Sequence, residues 1–131
     1  MPASAVVSIS TRWSDFDALG HVNNAVYLTY GEVGRDQMFR EIIGDAFLDL
    51  VIAHLEIDFR REIALGVEEV TVTSRLVSLG RTSVRTEEQI LLPGGDVAAT
   101  ITTIVVARDE QTRSSRAWSD AERGALEAAI G

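Results

Sequence analysis

Between Trp13 and Phe39 the chain reads WSDFDALGHVNNAVYLTYGEVGRDQMF, an acidic pair, a glycine, a histidine and two asparagines that lead into a helical pattern. This order puts the Asp17 carboxylate just upstream of a helix N-terminus, whose first backbone N–H groups lack intrahelical acceptors and form a site for negative charge. A base or nucleophile facing an oxyanion site is the minimum equipment for acyl transfer. The same residues have a plainer reading, because an aspartate ahead of Ala18-Leu19-Gly20 can simply cap a turn. From the residues alone, the plainer reading comes first.

The other polar residues carry the same pair of readings. Asp15, two residues from Asp17, suits a structural role such as a hydrogen bond to the turn. His21 lines a pocket or orients the loop, Asn23 or Asn24 caps the helix, and Tyr27 is a core residue that could border a pocket. Glu32 and Arg35, three apart, read as an ordinary helix ion pair, with Glu32 a reserve carboxylate. Arg60, Arg61, Arg81 and Arg85 are either solvated strand faces or phosphate-binding forks. Asp15, Asp17, His21 and His54 offer a metal-site reading, but D-x-D-x3-H is not an established ligand spacing.

With 131 residues, 46% of them hydrophobic, and two prolines, the chain fits one globular domain spanning 1–131. No apolar run approaches the roughly 18 residues of a membrane span, and MPASAVVSISTRW lacks the charged and apolar regions of a signal peptide. The expectation is a soluble cytoplasmic protein without a membrane partner. The lack of cysteine excludes disulfides, thiol catalysis and cysteine-ligated zinc. A formal charge of −8, from 12 basic and 20 acidic residues, argues against nucleic acid, so any anionic ligand must be met by local arginines.

Several elements must position these groups. Val7, Ile9, Thr11 and Trp13 alternate with polar neighbours as a first strand, followed by a loop to Asn23. Apolar residues at three- and four-residue spacing predict a helix from Asn24 to about Ile43. Gly31 and Gly34 weaken that helix unless a sheet or an acyl chain packs on its backbone. Val51, Ala53, Leu55, Ile57 and Phe59 form one face of a clear second strand. Extended stretches at 67–79, 81–92 and 96–108, broken at Gly66, Gly80 and Pro93-Gly94-Gly95, read as an antiparallel meander. Their length predicts a curled sheet, although Glu88 shares a face with Val84 and Ile90. Ser119 and Glu122 form a capping box that opens a short C-terminal helix. The pattern is α+β, with the long helix buried against the sheet.

The stretch DFDALGHVNNAVYL followed by GEVGR resembles the hot-dog-fold acyl-CoA thioesterases of the 4-hydroxybenzoyl-CoA thioesterase-like group. Phe59-Arg60-Arg61 and Gly80-Arg81-Thr82-Ser83 add to the likeness. The resemblance implies a hot-dog fold, a long central helix wrapped by a curled five-stranded antiparallel sheet, with acyl-CoA sites at the interface of a homodimer or homotetramer. It implies that Asp17 is the catalytic carboxylate, as nucleophile or general base, and that the backbone N–H of Asn24 polarises the thioester carbonyl. A thiol of ordinary pKa near 8.5 can leave as thiolate without a strong acid. His21, Asn23, Tyr27, Arg60, Arg61, Arg81, Thr82 and Ser83 are then the substrate-binding set. No separate cofactor or metal is expected, since coenzyme A is part of the substrate. The alternative is a non-catalytic acyl-binding or structural hot-dog subunit.

Overall fold

A computed structural model describes residues 4–130. The strands are β1 (Ser4–Ser10), β2 (Leu50–Phe59), β3 (Glu69–Leu79), β4 (Ser83–Leu91) and β5 (Val97–Ala107). The helices are α1 (Asn24–Ile43) and α2 (Asp120–Ala129), and short 3-10 turns cover Trp13–Asp15 and Gly44–Asp49. The strands form one antiparallel sheet in the order β1-β3-β4-β5-β2, so the meander is central and β1 and β2 are its edges. Helix α1 lies on the sheet's inner face, giving the hot-dog arrangement. Among the described residues no helix is long and apolar enough to cross a membrane.

Two local readings change. The first strand ends at Ser10, and Trp13 stands 89% exposed in a 3-10 turn, because Asp15 folds back onto the amide and guanidinium of Arg12. In β2 a bulge shifts the register between Ile52 and His54. An extra residue flips the alternation. The inward set is therefore Leu50, Ile52, Leu55, Ile57 and Phe59, opposite the buried Ala107, Val105, Thr103, Ile101 and Ala99 of β5.

The sheet itself explains the helical glycines. A Cβ at Gly31 would stand 2.6 Å from Ile101 Cδ1, and one at Gly34 would stand 2.5 Å from Val72 Cγ1. Backbone therefore rests directly on strand side chains, and the close approach offsets the glycines' poor helix propensity of about 1 kcal/mol each.

The interior has two apolar clusters. Val22, Tyr27, Tyr30, Ile63, Val72 and Ile101 surround the N-terminal half of α1, while Met38, Phe39, Leu76, Val105, Trp118 and Leu126 surround its C-terminal half. Each fully buried Val, Leu, Ile, Phe or Met contributes roughly 1.5–3 kcal/mol. Between the clusters runs a buried polar belt of Arg35, Ser74, Thr86, Glu88 and Thr103. Arg35 Nη1 donates to Glu88 Oε1 at 3.0 Å and to Thr103 Oγ1 at 3.3 Å. This corrects the expected Glu32–Arg35 pair, and it explains Glu88's place on an apolar face. Burial pushes the Glu88 carboxyl up, against the opposing pull of Arg35.

At the C-terminus the capping box forms as read, with Glu122 N donating to Ser119 Oγ and Ser119 N to Glu122 Oε1. Arg116 grips Glu122 at 2.7 and 3.0 Å, and this hydrogen bonding draws the carboxyl down to about 2.

Candidate active site

The loop ahead of α1 is a small hairpin. Asp17 N donates to His21 O at 3.0 Å and Gly20 N to Asp17 O at 3.1 Å, with Gly20 at φ +83°, a conformation suited to glycine. Val22 N donates to Ile63 O and Leu65 N to Gly20 O, so the hairpin is tied to the segment after β2. Asp15 anchors its base. Its carboxylate, 1% exposed, accepts from the Tyr30 hydroxyl at 2.7 Å and from the Arg12 amide and guanidinium. Burial pushes this carboxyl up, but the Tyr30 and Arg12 bonds outweigh burial and leave it below the usual range. Asp15 therefore holds the loop against the helix.

Asp17 is more open, with its side chain 26% exposed. Oδ1 accepts from Leu19 N at 2.9 Å, an Asx turn, so the plainer reading of this residue is physically present. Oδ2 has no hydrogen bond among the described residues, and His21 Nδ1 stands 3.9 Å from it. His21 Nδ1 lies 3.1 Å from Val22 O, the geometry of a donor to that carbonyl. One carboxylate oxygen is thus occupied and the other is free.

Asn23 is the helix cap, with Oδ1 accepting from Ala25 N at 2.9 Å. The Asn24 amide is one of the first N–H groups of a helix of 20 residues, and it has no acceptor among the described residues. Asn24 lines a cleft of about 230 Å³ with His21, Tyr27, Phe59, Arg60, Arg61 and Glu62. Tyr27 builds the wall, donating to Arg61 O at 3.1 Å, accepting from Ile63 N at 3.0 Å and packing edge-on against Phe59. Burial, foremost, pushes its hydroxyl up, which keeps it neutral. An unspent helix amide and two arginines thus line one cleft at the N-terminal end of α1, and His21 of that cleft stands 3.9 Å from the free oxygen of Asp17.

Five of the candidates, His21, Asn24, Tyr27, Arg60 and Arg61, line this cleft; Asp17, in the preceding loop, and Asn23, the cap, are not among its lining residues. Arg81, Thr82 and Ser83 do not reach it. Trp118 N donates to Arg81 O and Trp118 Nε1 to Ser83 O, which places that turn with the cluster around Phe39, at the far end of a helix about 30 Å long. His54 faces outward on β2, paired with Glu56 at 2.9 Å, apart from the loop. Among the described residues no group of three or more potential metal ligands forms. Sequence reasoning missed Phe59 and Glu62 as cleft residues, although the alternation had put Phe59 on one face with Leu55 and Ile57 and adjacency to Arg60-Arg61 could have suggested both.

The curled sheet, the central helix and the loop at its N-terminus define a hot-dog protein of the thioesterase class, a thioester hydrolase. The chain belongs to the thioesterase-like superfamily, whose model matches residues 11–126. It is similar to a thioesterase from Thermus thermophilus solved in complex with coenzyme A and zinc, at 35% identity and a TM-score of 0.86 over 95% of this chain and 93% of that one. It is also similar to a Bacillus stearothermophilus protein described as a predicted thioesterase, at 26% identity and a TM-score of 0.89, covering 98% of each chain. A Staphylococcus aureus DHNA-CoA thioesterase shares the fold at 17% identity and a TM-score of 0.83, over 95% of this chain and 89% of that one. Among curated proteins no sequence matches.

Proposed function

We propose that the protein hydrolyses acyl-CoA thioesters at the cleft beside Asn24, with Asp17 as the catalytic carboxylate. The observation that carries this reading is an unspent Asn24 amide lining a cleft with His21, whose Nδ1 stands 3.9 Å from the free Oδ2 of Asp17. The amide would donate to the thioester carbonyl and gain strength as the oxyanion forms. Asp17 either attacks the carbonyl carbon, giving an anhydride that water then opens, or takes a proton from the water that attacks. In both routes the C–S bond breaks, coenzyme A leaves as thiolate and one water is consumed, either at the acyl carbon or in opening the anhydride. His21, Arg60 and Arg61 rim the approach, where guanidinium groups suit the coenzyme's phosphates.

The reading carries with it a homodimer or homotetramer in the cytoplasm. In support, β2 is an edge strand of the sheet, with no strand on its outer side among the described residues, an edge that chains normally cover. Within one chain Arg81, Thr82 and Ser83 cannot serve the cleft at the other end of α1. A second subunit supplying them would complete the set, and the thioesterase solved with coenzyme A makes such a ligand the natural choice. The test is release of free thiol across a panel of acyl-CoAs. Turnover of at least one supports the enzyme, and binding without turnover supports the acyl-binding alternative.

A further inference from the structure

A second cleft, of about 400 Å³, opens where α1 faces the first residues of β2. Phe39, Phe47, Leu48 and Ile52 give it apolar walls, and Glu32, Arg35 and Asp36 are its charged lining. Arg35 is 4% exposed and spends only Nη1, on Glu88 and Thr103. Among the described residues Nε and Nη2 have no partner. A guanidinium is a fork of five N–H donors, and the unspent ones are not sealed in the interior, so in this cleft they are open to an oxygen from a ligand. Asp36 lines the same cleft and offers an acceptor, its carboxyl pushed up by burial and then by Glu32.

Both clefts are lined by α1 and β2. At about 100° per residue Asn24, Leu28 and Arg35 fall on one flank of α1, and along β2 the half-buried Leu55 and Ile57 come between Ile52 of one cleft and Phe59 of the other. From Asn24 to Arg35 the helix rises about 16 Å, and helical side chains lean back toward the N-terminus, which shortens the gap. An extended covalent chain advances roughly 1.2 Å per bond, judging from the three bonds of each backbone residue. A chain starting at Asn24 therefore reaches Arg35 after on the order of ten carbons.

We propose that this cleft receives the far part of the acyl chain, and that Arg35 with Asp36 selects a chain carrying a hydroxyl on the order of ten carbons from the thioester. The inference rests on the acyl-CoA reading above. A hydroxyl fits because it accepts from the guanidinium and donates to the carboxylate. An anionic chain end does not fit, because Glu88 already pairs with the guanidinium and Glu32 and Asp36 add two carboxylates to the cleft's lining.

The test compares kcat/KM for ω-hydroxydodecanoyl-CoA and dodecanoyl-CoA in the parent, in Arg35→Lys and in the double variant Arg35→Met/Glu88→Leu. The double variant removes both buried charges together, so neither is stranded. The parent should prefer the hydroxylated chain by about ten-fold or more, the size of a hydrogen bond to a charged group, and the preference should vanish in the double variant. A purely structural Arg35 would lower both substrates alike and leave their ratio unchanged. A parental ratio near one, or a ratio that survives the double variant, overturns the proposal. If no acyl-CoA is turned over, calorimetric binding of the free ω-hydroxy and plain acids separates the two ideas. Preference for the hydroxy acid sustains the cleft and rejects only the hydrolase, whereas equal binding rejects the cleft.

Discussion

The loop ahead of α1 and the belt beneath its middle each present a carboxylate to donor groups, and they do so on opposite plans. Glu88 is sealed between helix and sheet, and Arg35 is its only ion-pair partner among the described residues. Asp17 keeps one oxygen in a turn and leaves the other without a hydrogen bond among the described residues, in the loop that leads to a helix amide with no acceptor. A sealed and paired charge holds elements in register, whereas an open and unspent one is free for chemistry. Asp15, two residues from Asp17, belongs with Glu88 in this division, because Tyr30 and Arg12 consume its carboxylate.

The comparison breaks first at the belt. Arg35→Met alone strands Glu88 and should cost about 3–5 kcal/mol in urea unfolding, while Arg35→Met/Glu88→Leu should recover most of that loss. A single variant within about 1 kcal/mol of the parent would mean that the belt is not a sealed pair.

Asp15 gives the next effect. Asp15→Asn should cost about 1–3 kcal/mol, because the Tyr30 hydroxyl and the Arg12 donors lose a charged acceptor. The folded carboxyl lies below its ordinary value, so on acidification the unfolded chain takes up the proton first. The stabilisation is whole above the ordinary aspartate range near pH 4 and is lost as pH falls through the lower folded value. Urea midpoints against pH should show an acid limb in the parent that flattens in Asp15→Asn.

The smallest effect belongs to the far turn. Arg81→Ala should raise KM for acyl-CoA with little change in kcat, since a phosphate contact remote from the thioester acts as uniform binding. Equal parental kinetics for acyl-CoA and a short acyl-pantetheine would show that no such contact matters.

Much of this was legible in the chain. Helical spacing gave α1, the turn residues gave the meander, and the capping box gave the start of α2. The Asp17 loop stood out because a carboxylate, a glycine and cap residues precede one helix. Partners across the sheet were not legible. Glu32 stood at ordinary spacing from Arg35, yet Arg35 reaches Glu88, 53 residues away, because burial rewards an internal partner over a solvated one. The β2 bulge likewise inverted one face, since a single extra residue leaves composition untouched while changing which side chains look inward.

The central claim is that chemistry belongs to the open carboxylate at the helix end. Asp17→Asn keeps the side chain's size and its Asx turn, so a turn-capping role would tolerate it. Steady-state turnover of a responsive acyl-CoA should show kcat reduced by on the order of 10²-fold or more, with fold and oligomeric state kept, while Glu32→Gln costs much less. Near-parental kcat in a folded Asp17→Asn protein, with collapse in Glu32→Gln, would move the catalytic carboxylate onto the helix and contradict the account.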